Sequence, residues 1–569
     1  MGEQHPGFLE TFADRGNPVG KPPTFEPELF GCPCIVEPSA VRRDLGSRVD
    51  KIDTPTGKDV HTRTKYRHPG SPHHEDLGPG ASVNSIADQH HRRRRPDRDE
   101  RWIGGLSDVL THTLPTVPGR GPPEGLEPCP RYPGVYGCEM PTASPTAPNA
   151  PSDVLEHIGP GEQLIVPLAN GEPTAVLDAI EAAAAADTNR FNEVRIHQMH
   201  AIHDRPYLHG AFGTNLKHIS YFLSHVTRQP FADGTIGLVP AHFSEVYSLM
   251  RVRADDPLII AAASPPDQHG YFSLGVSADY TSSFIGRGRF FLEVTEAMPR
   301  TFGRNQIHVS QVVGWCQSDR PLVEITPTAS GETDRAIAEL VAERISDGAT
   351  IQTGIGAIPN AIMTALSDHK DLGVHTELLS DGVVDLIESG VVNGVRKWLN
   401  RTKTVATFAL GTNRLHNFLH ENTAIELHAV RYVNDPRIIA NESDFVSINA
   451  TLTVDFLGQC ASETIDGSYY SSSGGQNDFA RGAMYSDGGQ GFVVLHSRTS
   501  HGMSRIVPQL SAGDVVTTPK NTVDKIVTEW GVAELRGRSI RERTRELIAI
   551  AHPEHREALT EQARVIGYV

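Results

Sequence analysis

The chain has 569 residues, with 52 Lys and Arg against 69 Asp and Glu, a formal net charge of −17 and 6 Cys. The acidic balance argues against nucleic-acid binding, and the lack of any apolar run of about 18 residues argues against a membrane span. The N-terminus has no basic-then-apolar signal, so we expect a soluble cytoplasmic protein.

Residues 1–150 differ in composition from the rest of the chain. They hold 22 of the 40 prolines and 4 of the 6 cysteines, and they show no sustained helical or strand periodicity. Such a segment cannot bury enough apolar surface to offset the entropy of ordering, so we predict disorder over 1–150. The cysteine spacing matches no common zinc pattern. An over-extended start codon is a further hypothesis for this segment, which mass spectrometry of the native N-terminus tests.

Helix and strand patterns alternate from Ser152 onward. A short helix with a cap at Ser152 or Asp153 leads to an apolar run at 164–167. Helix-then-strand units follow at 175–186 and 194–199, at 333–348 and 349–353, and at 359–366 and 373–376. This alternation predicts an α/β fold with largely parallel sheets.

Residues 151–569 form the body of the chain, and their number predicts more than one domain. Pro, Ser and Gly cluster at 327–332, where we place a boundary. The prediction is therefore two open α/β domains, residues 151–330 and 331–569, preceded by the disordered segment.

A glycine-rich turn follows the strand predicted at 349–353. It contains Gly354, Ile355, Gly356, Ala357 and Ile358, with Pro359 predicted as the first residue of a helix. The backbone amides of such a turn can approach an anionic or polarised ligand. The pattern resembles a dinucleotide fingerprint but has Pro in place of the third Gly, so the turn alone is a weak signal.

Two further segments carry candidate chemistry. Glu377 follows the strand at 373–376, and in a doubly wound sheet it would face the same crevice as the glycine turn, where a carboxylate can act as a nucleophile. A surface glutamate at a strand end is the simpler interpretation of position alone. The second segment, 471–479, contains Gly474, Gly475 and Gln476 and can present backbone amides to an oxyanion, although a flexible loop explains it equally well.

The histidines and cysteines of the body favour no metal site. His197, His200 and His203 lie on a predicted strand, where His200 points away from the other two, so we expect half-buried strand histidines. Cys316 and Cys460 have no adjacent His and are expected to be buried small residues, which fits a reducing compartment.

Taken together, residues from about 151 to the C-terminus resemble the acetyl-CoA hydrolase/transferase family, which includes the 4-hydroxybutyrate CoA-transferases and belongs to the class I CoA-transferases. The resemblance depends on GIGAIP at 354–359, HTELLSDG at 375–382 and SGGQNDF at 473–479. It is supported by SPPD at 264–267, VDFLGQ at 454–459, VTEWG at 527–531 and IAHP at 550–553.

The resemblance implies a CoA transfer that uses the carboxylate of Glu377. It implies an acyl-glutamyl anhydride and then a glutamyl-CoA thioester, with acetyl-CoA as the expected donor and a small acid such as acetate or 4-hydroxybutyrate as the acceptor. The implied CoA contacts are residues 354–358, Gly475 and Asn449, with Gly474 and Gln476 supporting the loop. CoA is then a substrate and no cofactor is needed. A homodimer is expected by analogy.

The ordinary chemistry of a glutamate side chain is consistent with the nucleophilic role that the resemblance implies for Glu377. A glutamate of ordinary pKa, about 4.3, is already ionised at neutral pH and needs no base. Because a carboxylate is a poor nucleophile toward a thioester, amides at the developing oxyanion must lower the barrier, by roughly 3 kcal/mol for one well-placed donor. Two alternatives stay open: an acetyl-CoA hydrolase that uses the same glutamate, and a non-catalytic protein that binds a nucleotide at the glycine turn.

Overall fold

The first sheet of the structure, a computed structural model that describes residues 147–569, is entirely parallel. Its strands are β1 Gln163–Val166, β2 Val194–Gln198, β3 Leu216–Ser220, β4 Gly237–Leu238, β5 Leu258–Ala263, β6 Arg289–Val294 and β7 Val312–Gln317. Their spatial order is β7-β6-β5-β1-β2-β3-β4. The strand β5 is buried at every position, because a parallel sheet is covered on both faces and favours continuous apolar runs.

The second sheet has six strands and carries the glycine turn. Its strands are β8 Thr350–Thr353, β9 Gly373–Val374, β10 Phe445–Ala450, β11 Gln490–Val494, β12 Lys525–Thr528 and β13 Gly531–Glu534. Their order is β9-β8-β10-β11-β12-β13, with only the last pair antiparallel. Since the chain passes from β8 to one neighbour and later returns to the other, the order reverses between β8 and β10. Ligands of open α/β sheets bind beyond the carboxyl ends of strands at such a reversal.

Twelve α-helices occur in the described part of the chain. They are α1 Thr174–Ala186, α2 Arg228–Ala232, α3 Val246–Arg253, α4 Glu332–Ala342, α5 Ala357–Ala365, α6 Asp381–Glu388, α7 Asn413–Leu419, α8 Val430–Val433, α9 Pro436–Ile439, α10 Gln476–Tyr485, α11 Ile540–Ala549 and α12 Pro553–Ile566. None of the helices within 147–569 is long and apolar enough to cross a membrane.

Short strands form five smaller sheets in residues 147–569. They pair Tyr271–Ser273 with Gln306–His308, Leu378–Leu379 with Phe408–Ala409, and Thr464–Ile465 with Ser468–Tyr469; a three-stranded sheet joins Phe302–Gly303, Thr404–Ala406 and Ile425–Leu427, and a four-stranded sheet joins Thr453–Asp455, Cys460–Ala461, Ile506–Val507 and Val516–Thr518. The strand Phe302–Gly303 comes from the first half of the chain and pairs with residues of the second half. A buried cluster likewise mixes Ile259 and Phe290 with Leu378 and Phe408.

The α/β architecture with mostly parallel sheets is confirmed, and several boundaries differ from those predicted. The helix predicted from Pro359 begins at Ala357, with Gly356 as its N-cap, so Pro359 lies within the first turn instead of opening it. The helix predicted from Thr333 begins at Glu332 and ends at Ala342. Gly331 is its N-cap, and the Asp334 carboxylate accepts a 2.7 Å hydrogen bond from the Gly331 amide.

The predictions for residues 1–146 lie outside the described residues. Within 147–150 the chain is already paired with the first sheet, since the Asn149 amide donates to the Trp315 carbonyl at 2.7 Å. The predicted boundary at 327–332 falls at the end of an irregular stretch, 318–331, that precedes α4. The division into two domains there stays a prediction.

Candidate active site

Glu377 lies three residues beyond β9, at the carboxyl edge of the second sheet. Its carbonyl accepts hydrogen bonds from the amides of Thr407 and Phe408, at 3.0 and 3.1 Å. The preceding residue, Thr376, donates its hydroxyl to the carbonyl of Thr353 at 2.9 Å. The backbone on both sides of Glu377 is therefore fixed, and the residue is tied to the last residue of β8.

The Glu377 side chain is half-buried and held by two donors. Asn434, fully buried at the C-terminal end of α8, donates its Nδ2 to Oε2 of Glu377 at 2.8 Å. The backbone amide of Gly475 also donates to the Glu377 carboxylate. A Cβ on Gly475 would lie 1.9 Å from Oε2 of Glu377 and 2.4 Å from Nδ2 of Asn434. Only glycine fits at position 475 with this arrangement.

The acidity of Glu377 differs from the sequence-based expectation. Burial raises the pKa of Glu377 to about 7, against the opposing hydrogen bonds from Asn434 and Gly475. The expected pKa of about 4.3 is therefore wrong for the folded protein, because the site removes the carboxylate from water and no cation from residues 147–569 is among the groups that shift its pKa. Near neutral pH a substantial fraction of Glu377 is protonated.

A second carboxyl group, Asp478, lies one helical turn beyond Gly475. Its side chain is almost fully buried and accepts hydrogen bonds from the amide and the hydroxyl of Ser244, at 3.0 and 2.8 Å. Burial raises the pKa of Asp478 to about 8, opposed by the bonds from Ser244 and reinforced by the negative charge of Glu377. Titratable groups with raised pKa values are typical of active sites.

The glycine turn at 354–358 begins where β8 ends, directly after Thr353. Gly354 has open space where a Cβ would stand. Gly356 has φ +124°, which favours glycine. Ile355 is buried, whereas Ala357 and Ile358 are half-buried in the first turn of α5. The bond from Thr376 to Thr353 therefore brings the beginning of this turn next to the segment that carries Glu377.

Asn449 lies on β10, whose carboxyl end adjoins that of β8. It is 6% exposed, and its Nδ2 donates to Oε1 of Gln352 at 3.2 Å. Gln352 in turn accepts a 3.2 Å bond from the Ile448 amide. Asn449 thus lies near the glycine turn, with its amide group engaged by a neighbouring strand.

The loop that leads into α10 is the third predicted segment, and the structure brings it to Glu377. Gly474 has φ +54°, and a Cβ there would lie 3.3 Å from the ring of Phe222. Gln476 is 4% exposed, and among residues 147–569 its Nε2 meets no hydrogen-bond partner. A buried donor without a partner at the first turn of a helix, beside Glu377, is available to a bound substrate.

Sequence reasoning missed Asn434, Asp478 and Ser244. Asn434 follows Glu377 by 57 residues along the chain and lies at the end of the four-residue helix α8, so no local motif identifies it. Asp478 belongs to the quoted SGGQNDF motif, where its acidic residue at the start of a helix is a signal that was available. Ser244 has no such signal, because its contact with Asp478 joins distant parts of the chain.

The three histidines are not arranged as one strand. His197 is buried on β2 between Tyr221 and Gln163, and burial lowers its pKa to about 4. His200 lies beyond the end of β2 with φ +58°, so its placement on the strand was wrong. His203 pairs with the buried carboxylate of Glu172. Within the described range no group of three or more His, Cys, Asp or Glu could hold a metal ion.

The two cysteines of the body are buried and free, as expected. Burial raises the pKa of Cys316 to about 12 and that of Cys460 further. A thiol with such a high pKa is a poor nucleophile at neutral pH.

Two family models match the chain. Residues 148–327 match the acetyl-CoA hydrolase/transferase N-terminal domain, and residues 411–563 match the C-terminal domain. The succinyl-CoA:cyclohexane-1-carboxylate CoA transferase of Geobacter metallireducens is 44% identical over 418 residues, which are 73% of this chain and 94% of that protein. The 4-hydroxybutyrate coenzyme A transferase of Clostridium kluyveri is 38% identical over 417 residues, covering 73% and 95%.

Solved structures also match this chain over most of its length. RipA from Yersinia pestis matches with a TM-score of 0.69 and 35% identity, over 74% of this chain and 97% of that chain. The 4-hydroxybutyrate CoA-transferase from Porphyromonas gingivalis matches with a TM-score of 0.63 and 33% identity over the same shares.

Proposed function

Because this chain belongs to the acetyl-CoA hydrolase/transferase family and is therefore an enzyme of CoA transfer or acyl-CoA hydrolysis, we propose that Glu377 is its nucleophile. The proposed reaction moves CoA from an acyl-CoA, with acetyl-CoA as the first candidate, to a small carboxylic acid such as acetate or 4-hydroxybutyrate. Relatives named for 4-hydroxybutyrate and for butyrate with acetate support this substrate class.

The reaction proceeds through two covalent intermediates. A carboxylate oxygen of Glu377 attacks the thioester carbonyl carbon, and the carbon–sulfur bond breaks to give an acyl-glutamyl anhydride and the CoA thiolate. The thiolate then attacks the glutamyl carbonyl carbon, which releases the donor acid and leaves a glutamyl-CoA thioester. The acceptor carboxylate repeats these two steps in reverse order, so that Glu377 is regenerated and the new acyl-CoA leaves.

The observation that carries the proposal is the environment of the Glu377 carboxylate. It is half-buried and held by Asn434 Nδ2 and the Gly475 amide, and no cation within the described part of the chain is among the groups that shift its pKa. Removal from water makes an anionic oxygen more reactive, and the fixed amide of Gly475 is suited to stabilise negative charge that develops on a carbonyl oxygen. We assign CoA contacts to Gly354, Ile355, Gly356, Ala357 and Ile358, to Gly475 and to Asn449, with Gly474 and Gln476 supporting the loop.

Hydrolysis with the same glutamate is a second candidate. It is favoured by similarity to acetyl-CoA hydrolases, for example that of Kluyveromyces lactis, which is 31% identical over 222 residues. Transferase and hydrolase differ only in whether an acid or water resolves the covalent intermediate. We further propose a cytoplasmic homodimer; the free buried thiols of Cys316 and Cys460 fit a reducing compartment, and light scattering tests the dimer.

The experiment is intact mass spectrometry after incubation with acetyl-CoA, followed by borohydride reduction. Wild-type protein is expected to show a CoA-sized adduct, and after reduction the modified peptide is expected to contain Glu377. Glu377→Gln should show neither adduct nor activity, whereas the control Glu388→Gln, on the exposed end of α6, should behave as wild type. Full activity of Glu377→Gln would overturn the proposal. With acetyl-CoA as donor, a hydrolase releases free CoA without any added acid, whereas a transferase forms a new acyl-CoA only when succinate, butyrate or 4-hydroxybutyrate is added. Labelled acetate reports the corresponding exchange into acetyl-CoA.

A further inference from the structure

A segment from the first half of the chain holds the turn that presents Gly475. The amide of Phe243 donates to the carbonyl of Gly474 at 3.0 Å. The amide of Ser244 donates to Oδ2 of Asp478 at 3.0 Å, and its hydroxyl donates to Oδ1 at 2.8 Å. Residues 242–244 are therefore bonded to both sides of Gly475, one residue before it and three residues after it.

The Asp478 carboxyl is bonded to the first half of the chain and not to the start of its own helix. Asp478 is the third residue of α10, a position from which an acidic side chain commonly bonds back to the N-cap amide of its own helix. Here both carboxyl oxygens accept bonds from Ser244, which lies 234 residues earlier in the chain. The pair of Ser244 and Asp478 thus connects the turn at Gly474 and Gly475 to the first half of the chain.

Burying Asp478 has a cost that the bonds to Ser244 only partly offset. The side chain is 4% exposed, and among residues 147–569 the groups that shift its pKa most are Ser244 and two acids, Glu377 and Glu245, with no cation. An acid buried in such a place destabilises the fold. A role in fixing the geometry of the turn is consistent with that loss of stability.

The geometry around Gly475 leaves little freedom of movement. A Cβ at position 475 would lie 1.9 Å from the Glu377 carboxylate, so the turn and the carboxylate are in close contact. A displacement of α10 by even a fraction of this distance changes how the Gly475 amide meets Glu377. Misplacement of a catalytic group by about 1 Å can reduce a rate on the order of a hundredfold.

We propose that Ser244 and Asp478 form a positioning pair that holds the Gly475 amide against Glu377. The two residues are bonded to each other and not to the Glu377 carboxylate, which is held by Asn434 and Gly475, so the pair acts through Gly475. The inference depends on the proposed role of Glu377 as nucleophile. A purely structural anchor would lower stability when it is removed, whereas a positioning pair lowers turnover specifically.

The test uses variants of Ser244 in the full chain. Ser244→Ala removes the hydroxyl bond and retains the amide bond, so the turn stays attached but less constrained. We expect kcat to fall on the order of tenfold while KM for the acyl-CoA stays within about twofold, because the lost effect concerns the transition state. Ser244→Thr restores a hydroxyl donor and is expected to recover most of the turnover.

The matched control is Ser539→Ala. Ser539 also donates its amide and hydroxyl to one acidic side chain, that of Glu542, at the start of α11. This helix packs on β13, at the far end of the sheet from β9 and Glu377. Ser539→Ala should lower the melting temperature and leave kcat unchanged.

Coupling between the partners completes the experiment. If Ser244 and Asp478 act as a pair, the double variant Ser244→Ala with Asp478→Asn should be little slower than Asp478→Asn alone, since neighbouring residues in one network are not additive. Wild-type kcat in Ser244→Ala, failure of Ser244→Thr to recover turnover, or additive losses would each overturn the positioning role. Glu377→Gln is measured alongside: if it is inactive while Ser244→Ala is fully active, only the pair fails, and if Glu377→Gln is active, the proposed function fails.

Discussion

Replacing Glu377 by Gln is predicted to abolish activity and at the same time to stabilise the fold above neutral pH. Burial raises the pKa of Glu377 from its ordinary 4.5 to about 7, so the ionised side chain is destabilising in the folded protein. Each pH unit between these values is worth about 1.4 kcal/mol. The advantage of the neutral glutamine should therefore reach up to about 3 kcal/mol.

The size of this stabilisation depends on pH. A group whose pKa is raised by folding contributes stability below its unfolded pKa, and this stability is lost as the pH rises through the folded value. The variant should therefore exceed wild type by less than about 1 kcal/mol at pH 5 and by up to about 3 kcal/mol at pH 8.5. For a folded region of this size, the larger difference corresponds to a rise in melting temperature of about 3 °C.

The assay is thermal unfolding of both proteins at pH 5 and pH 8.5, with urea unfolding as a second measurement. Glu542→Gln is the control, since bonds from Ser539 lower the pKa of Glu542, and its replacement should destabilise the protein at pH 8.5 and less so as the pH falls. A difference between Glu377→Gln and wild type that is the same at both pH values, or a less stable variant at pH 8.5, would refute the reasoning.

Four further predictions concern the site and the thiols. In wild type, kcat/KM should increase about tenfold per pH unit below pH 7 and level off above it, because the proposed mechanism requires the ionised form of Glu377; a profile that is flat from pH 5 to 9 would contradict the raised pKa. Asn434→Ala removes the donor to Glu377 and should move the acid limb of that profile to higher pH, as measured by initial rates. Gly475→Ala should lower kcat on the order of a hundredfold, because a Cβ would lie 1.9 Å from the Glu377 carboxylate; near-normal turnover would show that the turn can yield. Finally, iodoacetamide at pH 7.5 should leave Cys316 and Cys460 unlabelled in the folded protein, as peptide mapping can verify, because burial raises the pKa of both thiols.

Local pattern predicted the elements of the fold that have strong periodicity. The helix expected at 175–186 is observed at Thr174–Ala186, and the strand expected at 349–353 is observed at Thr350–Thr353. Apolar spacing identifies such elements because their burial follows directly from it. The start of α5 was misplaced because Pro359 is compatible with several positions in a first turn, and only the φ of +124° at Gly356 fixes the cap.

The site was predictable to the extent that its residues lie in motifs. Glu377 and Gly475 were both identified, and the structure brings the Gly475 amide to the Glu377 carboxylate. Asn434 was not identifiable, because its role arises from where a four-residue helix ends in three dimensions. The pKa of Glu377 was also beyond the sequence, since it is set by the surroundings that fold around the carboxylate and not by its neighbours in the chain.

The strand Phe302–Gly303 has a consequence for how this protein can be recombined with its relatives. It lies within the segment 148–327 that matches one family model, yet it pairs through its backbone with Glu426 and Leu427, within the segment 411–563 that matches the other. Hydrogen bonds between backbones do not depend on side chains, but this pairing brings the two backbones close together. A Cβ at Gly303 would lie 2.1 Å from the Leu427 carbonyl oxygen. A chimera joined between the two segments therefore needs glycine at position 303, whichever parent supplies it, and the two segments are not freely interchangeable modules.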